Sequence, residues 1–256
     1  MVPPTLRLDG KVALITGGGR GMGRTHAELM AERGADVIVL DVNAANAEET
    51  AAAVRGKGRA ASVVAVDATD IAALTAGIAG AERTHGRIDI LVNNAGIQGN
   101  KRTVDQVDEQ IWDDMTHIKM KASFFATKAV VPGMKARKSG KIVNISSNFA
   151  MEGWFNASHY VGAAAGMLGY TKAWARELAP WNINVNAVAP ALIVTDLTIN
   201  SMGWDAIKAV EATVPLGRLG DKMDIAYAVC WLASSETDFM TGQVLSPNGG
   251  QTIVGI

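Results

Sequence analysis

The sequence predicts a single α/β domain: a doubly wound parallel sheet of about seven strands with helices on both faces. Three observations predict it. Short apolar runs alternate with longer stretches of helical composition along the whole chain. The first run leads into a glycine-rich turn and then a helix. No charge block, repeat or low-complexity tract divides the 256 residues into separate units.

The first strand is residues 12–16, VALIT, and the first helix covers 22–33. Between them Gly17, Arg20, Gly21, Met22 and Gly23 form a T-G-x3-G-x-G turn with Thr16. Free backbone N–H groups and the helix dipole meet at such a turn, so these residues are candidates for a phosphate cradle. An ordinary tight turn reads the same way.

The second strand, 36–40, ends at Asp41, and a helix follows at 44–56. An acid about 20 residues beyond the glycine turn suits the hydroxyls of an adenosine ribose and repels a 2′-phosphate. That favours NAD over NADP, although Arg20 pulls mildly the other way. The plain alternative for Asp41 is a strand-end turn or helix cap. The third strand, 62–66, is followed by Asp67 and Ala68, with Asp67 placed to hold an adenine amino group, and then by a helix at 70–85. The fourth, 88–92, enters Asn93-Asn94-Ala95-Gly96. Asn94, Ala95 and Gly96 suit backbone that passes a flat ligand, and equally a plain Asx-turn.

A long helix is expected at 108–137, a strand at 141–145, a helix at 158–178 and a strand at 183–188. A helix at 222–234 and a strand at 243–246 close the chain. Residues 197–212, of mixed composition, read as a short mobile lid or as an ordinary surface helix.

A net charge of −1 points away from nucleic acid and from an anionic membrane surface. Cys230 is the single cysteine, which fits a reducing compartment. The first residues, MVPPTLRLDGK, lack the apolar core of a signal peptide, and no run is long enough to span a bilayer. A cytoplasmic protein is the expectation. No His, Cys and carboxylate grouping has metal-ligand spacing, so no metal is expected.

TGGGRGMG at 16–23, LDV at 40–42, NNAG at 93–96, IVNISS at 142–147 and Tyr160 resemble the short-chain dehydrogenase/reductase family. PLGRLG at 215–220, DIA at 224–226 and TGQVLSPNGG at 241–250 agree, so the resemblance runs over essentially the whole chain. It implies one Rossmann-like domain over residues 1–256, with nucleotide binding mainly in 10–100 and catalysis and substrate mainly in 110–256. It also implies a nicotinamide cofactor and a homotetramer packed through the long fourth and fifth helices and the C-terminal region. Matched motifs make Ser147 the group that polarises a substrate carbonyl and Tyr160 the proton carrier. Pro190, Ile193 and Thr195 fall in the segment that meets the nicotinamide carboxamide. Ala191 stands there in place of the usual glycine, which would strain the turn if the backbone needs positive φ.

Two positions depart from the family pattern. Ala164 stands where the family has its lysine, four residues after Tyr160, and Lys119 stands where it has an asparagine. A free tyrosine has a pKa of about 10, so a proton carrier near neutrality needs a nearby cation. Lys119 is therefore read as a relocated lysine that reaches toward the space left by Ala164 and serves Tyr160. The chain is expected to be an NAD-dependent alcohol dehydrogenase/ketone reductase (EC 1.1.1.-) that interconverts a secondary alcohol and a ketone. Met151, Trp154 and Phe155 line an apolar substrate pocket in this reading, or simply pack; His159 is expected to point away from Tyr160. Two alternatives stand beside it: an NAD-binding protein without redox turnover, and Schiff-base chemistry at a desolvated Lys119.

Overall fold

The computed structural model describes residues 6–99 and 101–254, apart from the side chains of Asp196, Leu197 and Ser201. Seven parallel strands lie in the order β3-β2-β1-β4-β5-β6-β7. They are β1 Val12–Thr16, β2 Asp36–Asp41, β3 Ala61–Ala65, β4 Ile90–Asn93, β5 Gly140–Ile145, β6 Ile183–Val188 and β7 Val244–Leu245. The central strands are near-continuous apolar runs because helices cover both faces. In β1 the period of two is visible in the packing. Ala13 and Ile15 join the cluster that holds α1 (Gly21–Glu32), α2 (Ala44–Gly56) and α10 (Lys222–Leu232). Val12 and Leu14 join the cluster of α3 (Ile71–His85), α5 (Ala122–Arg137) and α7 (Ser158–Leu178) on the other face.

Strand order reverses between β1 and β4, which opens a crevice beyond their carboxyl ends. Side chains cap the helices that start there or nearby. Asn43 accepts from Asn46 N at the start of α2, and Asp70 accepts from Ala73 N at the start of α3. Beneath the crevice floor a buried ladder ties four elements together. Asn93 donates to Asn144 Oδ1 at 2.8 Å and to Thr127 Oγ1 at 3.1 Å, and Asn144 donates to Thr171 Oγ1 at 2.9 Å.

Several expectations need correction. The helix expected at 108–137 is not uniform: α4 (Glu109–Thr116) and α5 are joined by a π-helical turn, His117–Lys121. The wide turn buries Lys119, and a short π segment of this kind is often found at functional sites. Residues 197–212, read as a lid or as one surface helix, are helical but divided into two short helices, α8 (Asp196–Met202) and α9 (Trp204–Glu211). Ile207, Val214 and Leu219 give this region a small apolar core of its own. A four-residue helix, α6 (Phe149–Glu152), lies in a stretch with no expected element. The last strand is two residues long rather than four.

Candidate active site

Gly17, with φ +63°, turns the chain out of β1, and Gly23 lets α1 pack close behind it. A Cβ on Gly23 would lie 2.0 Å from Gly17 O and 2.7 Å from Asn94 Nδ2. The Asn94 amide braces this turn: Nδ2 donates to Thr16 O at 2.9 Å and Gly17 O at 3.1 Å. Thr16 Oγ1 accepts from the backbone N–H of both Asn94 and Ala95 at 3.0 Å. Gly96 beyond them is exposed. Arg20 precedes α1, exposed and extended, and Gly21 and Met22 are half-buried in its first turn. The cradle therefore offers backbone N–H groups with a cation at its lip.

Asp41 accepts from Gly19 N and Asn43 N, both at 2.9 Å. It makes the strand-end turn and is half-buried at the carboxyl end of β2. Asp67 is exposed and spends one oxygen on Thr69, accepting from its N and Oγ1 at 2.8 Å; Ala68 is buried beside it.

Ser147 and Tyr160 meet across the end of β5 and the first turn of α7. Burial pushes the Tyr160 phenol above its usual pKa, and the hydrogen bond with Ser147 draws it part of the way back. Ser147 itself is buried, accepts from Phe149 N at 3.3 Å and donates to Asn148 Oδ1 at 3.4 Å. Lys119 is 6% exposed, and its Nζ lies 5.5 Å from the centroid of the Tyr160 ring. Its ammonium donates to Ile145 O at 3.2 Å, not to the phenol oxygen. No carboxylate among the described residues pairs with it, and burial lowers its pKa to about 8. Ala164 is fully buried and its carbonyl accepts from Ser146 Oγ at 2.8 Å.

Phe149, Trp154 and Phe155 form a stack with centroid separations of 4.4 Å and 4.9 Å. Trp154 and Phe155 are 37% and 64% exposed, so they form a surface wall rather than core. His159 is buried. Its pKa is lowered by burial and then by the charge of Arg102. Pro190 O accepts from Asn148 N at 2.9 Å. Ile193 is buried, with its carbonyl taken by Thr198 Oγ1 at 2.8 Å. Thr195 caps α8 by accepting from Thr198 N at 3.2 Å. Ala191 keeps a negative φ, so the glycine-to-alanine departure is unstrained.

Two neighbours of the site gave no signal in the sequence. Gly99 lies against Tyr160: a Cβ there would be 2.4 Å from Tyr160 Cβ and 2.8 Å from Cγ. Its segment is tied down where Arg102 N donates to Asn156 O at 2.7 Å. Asn148 is a buried hub next to Ser147. No residue pattern marks either one, because both roles arise from contacts between distant segments.

The family model described as short chain dehydrogenase matches residues 11–206. The chain belongs to the short-chain dehydrogenase family. It is 39% identical over 255 residues to the 3-oxoacyl-[acyl-carrier-protein] reductase FabG of Vibrio harveyi, covering 97% of this chain and 100% of that protein. It is 38% identical over 252 residues to the trans-4-hydroxycyclohexanecarboxylate dehydrogenase of Sinomonas cyclohexanicum, covering 96% and 94%. The structure of carveol dehydrogenase from Mycobacterium avium in complex with NAD superposes with a TM-score of 0.91 at 31% identity, covering 96% of this chain and 98% of that one. This family member is accordingly an oxidoreductase acting on a small molecule, on a single-domain Rossmann-like fold. Among the described residues no helix is long and apolar enough to cross a membrane.

Proposed function

We propose that this chain is an NAD(H)-dependent oxidoreductase that interconverts a ketone and a secondary alcohol. The observation that carries the reading is the convergence of the Ser147 hydroxyl, the Tyr160 phenol and the buried Lys119 ammonium beside the crevice. The cradle at Gly17–Gly23 fits a dinucleotide pyrophosphate, since Gly23 leaves no room for a Cβ and Arg20 sits at its lip. Asp41 would take the adenosine ribose, Asp67 and Ala68 the adenine, and Asn94, Ala95 and Gly96 would border the nucleotide. Pro190, Ile193 and Thr195 would border the nicotinamide, which supplies or accepts the hydride.

Ser147 would keep its proton and donate a hydrogen bond to the substrate oxygen, and Tyr160 would transfer the one proton that, with the hydride, makes the alcohol. With its pKa held high, Tyr160 is protonated near neutrality and set up to donate, which favours reduction. Once Tyr160 has given up its proton, the Lys119 charge a few ångströms away in a dry site stabilises the phenolate. The wall of Phe149, Trp154 and Phe155 favours an apolar, cyclic substrate. The dehydrogenase relatives that act on carveol and on a cyclohexanecarboxylate support the same class.

The test is loss of nicotinamide absorbance when NADH meets 4-oxocyclohexanecarboxylate, carvone or a 3-oxoacyl thioester. Turnover of at least one, with NADH preferred to NADPH and the preference relaxed in Asp41→Ser, is expected. Cofactor binding without turnover on any of them would replace this reading with that of a nucleotide-binding protein lacking redox chemistry. The Lys119 pKa of about 8 also suits addition to a carbonyl. Borohydride trapping of an adduct at Lys119 would establish that second reading.

The exposed aromatic surface on α5 and α7 supports assembly as a homotetramer. Phe124 is 41% exposed and meets Tyr170 edge-on at 5.8 Å. Light scattering of Phe124→Asp should then show a smaller species than the parent.

A further inference from the structure

We propose that Asn148 is a positioning residue for Ser147, held in its working orientation by Glu152 and by Thr252 near the C-terminus. The proposal rests on the reading above in which Ser147 acts on the substrate oxygen. Asn148 is 1% exposed. Its Nδ2 donates to Glu152 Oε1 at 3.0 Å and to Thr252 Oγ1 at 2.8 Å. A carboxylate accepts and does not donate, so the face of the amide turned to Glu152 is the NH2 group. The amide cannot turn over without losing that bond and setting two acceptors face to face. Oδ1 is thereby directed at Ser147, where it accepts from Oγ at 3.4 Å. The backbone is pinned as well, through Asn148 N to Pro190 O at 2.9 Å.

The serine hydroxyl has one proton to give, and this arrangement sets where that proton rests. While the Tyr160 phenol is neutral the proton points to Asn148 Oδ1, and it turns to the phenol oxygen once that ionises, while Phe149 N fills one lone pair of Oγ at 3.3 Å. A bond of 3.4 Å is long for O–H···O, so the serine O–H turns to an arriving substrate oxygen and donates a hydrogen bond there at little cost. With the amide reversed, Oγ would face N–H donors on two sides, and its proton would swing elsewhere in the site.

Thr252 is itself held in place. Asn248 Nδ2 donates to Thr252 O at 2.8 Å and to Ser246 Oγ at 2.9 Å, and Ser246 Oγ donates to Ala189 O at 2.7 Å. A C-terminal turn more than a hundred positions away in the sequence thus becomes a structural part of the serine's surroundings.

A double-mutant cycle tests this with NADH and whichever of the three carbonyl probes above turns over fastest. Asn148→Leu should lower kcat about tenfold with KM for NADH within about twofold, and should cost less than about twofold in a Ser147→Ala background. Thr252→Val should lower kcat about threefold and Thr252→Ser should restore it. Glu152→Gln, which can donate as well as accept, should fall between them. A full tenfold loss in the Ser147→Ala background, or Thr252→Val equal to the parent, overturns the proposal. If Asn148→Leu fails to fold, the Thr252 pair and Glu152→Gln decide alone. If Ser147→Ala turns over like the parent, or no probe turns over at all, the reading of the site falls first and this inference with it.

Discussion

Around the glycine turn many side-chain contacts brace the main chain; beside Tyr160 the hydrogen bonds of Ser147 and Lys119 are few and long. Asn94 braces the carbonyls of Thr16 and Gly17, Asp41 accepts amides of Gly19 and Asn43, and Thr50 Oγ1 donates to Gly19 O at 3.1 Å. At the other end Ser147 reaches Asn148 at 3.4 Å, and Lys119 has one carbonyl partner at 3.2 Å and, among the described residues, no carboxylate partner. A cradle for a polyanion can be made from backbone N–H groups that cost little to hold in place. Proton transfer needs a desolvated charge, and that costs stability. For Lys119 the fall from 10.5 to about 8 corresponds to about 3 kcal/mol. The proposed chemistry thus falls in a region whose polar groups are sparsely satisfied.

The comparison would break most visibly at Gly23. Gly23→Val should weaken NAD binding about a hundredfold or more, read by fluorescence titration, because its side chain meets Gly17 O. Unchanged affinity would mean that the cradle holds no phosphate.

Lys119→Met should split the two properties. Turnover at pH 7 should fall about thirtyfold while the protein gains up to about 3 kcal/mol in denaturant unfolding. Between pH 8 and 10.5 the unfolded chain keeps a proton that folded Lys119 has released, so this group makes the parent's stability rise with pH across that window. The variant should lack that rise, and it should also lack the loss of turnover expected in the parent above about pH 8.

Gly99→Ala should lower kcat about fivefold with NAD affinity unchanged, since its methyl group displaces the Tyr160 ring and not the nucleotide cradle. The one effect expected to leave the site untouched concerns His26, buried in α1 with neither ring nitrogen bonded and a pKa lowered to about 3. From pH 6.5 down to 3 the unfolded chain takes up a proton that the folded chain refuses, so stability falls with pH across that window. His26→Leu should relieve about 2 kcal/mol of this at pH 5 and leave catalysis alone.

Most of the fold was legible in residue order. Apolar runs buried on both faces announced the strands, and glycines at 17, 21 and 23 announced the turn between β1 and α1. The π turn at His117–Lys121 was not legible, because its composition suits an ordinary helix and only packing against α7 and β5 shows the extra residue turned inward. Ser147 and Tyr160 were named from motifs and Lys119 from a departure from one; the structure puts Ser147 in hydrogen-bond contact with Tyr160 and the Lys119 ammonium 5.5 Å from the centre of its ring. Asn94 was assigned a place beside a ligand, yet its amide also carries the turn that would hold one.

Local chemistry was enough for the strand and helix types, the phosphate-type turn and the acid after β2, since each follows from a few neighbouring residues. The burial of Lys119 with no carboxylate partner among the described residues, Gly99 against the Tyr160 side chain and Asn148 clamped between Glu152 and Thr252 followed only from three-dimensional packing. Burial and hydrogen-bond direction belong to pairs of residues far apart along the chain, and no short stretch of sequence carries them.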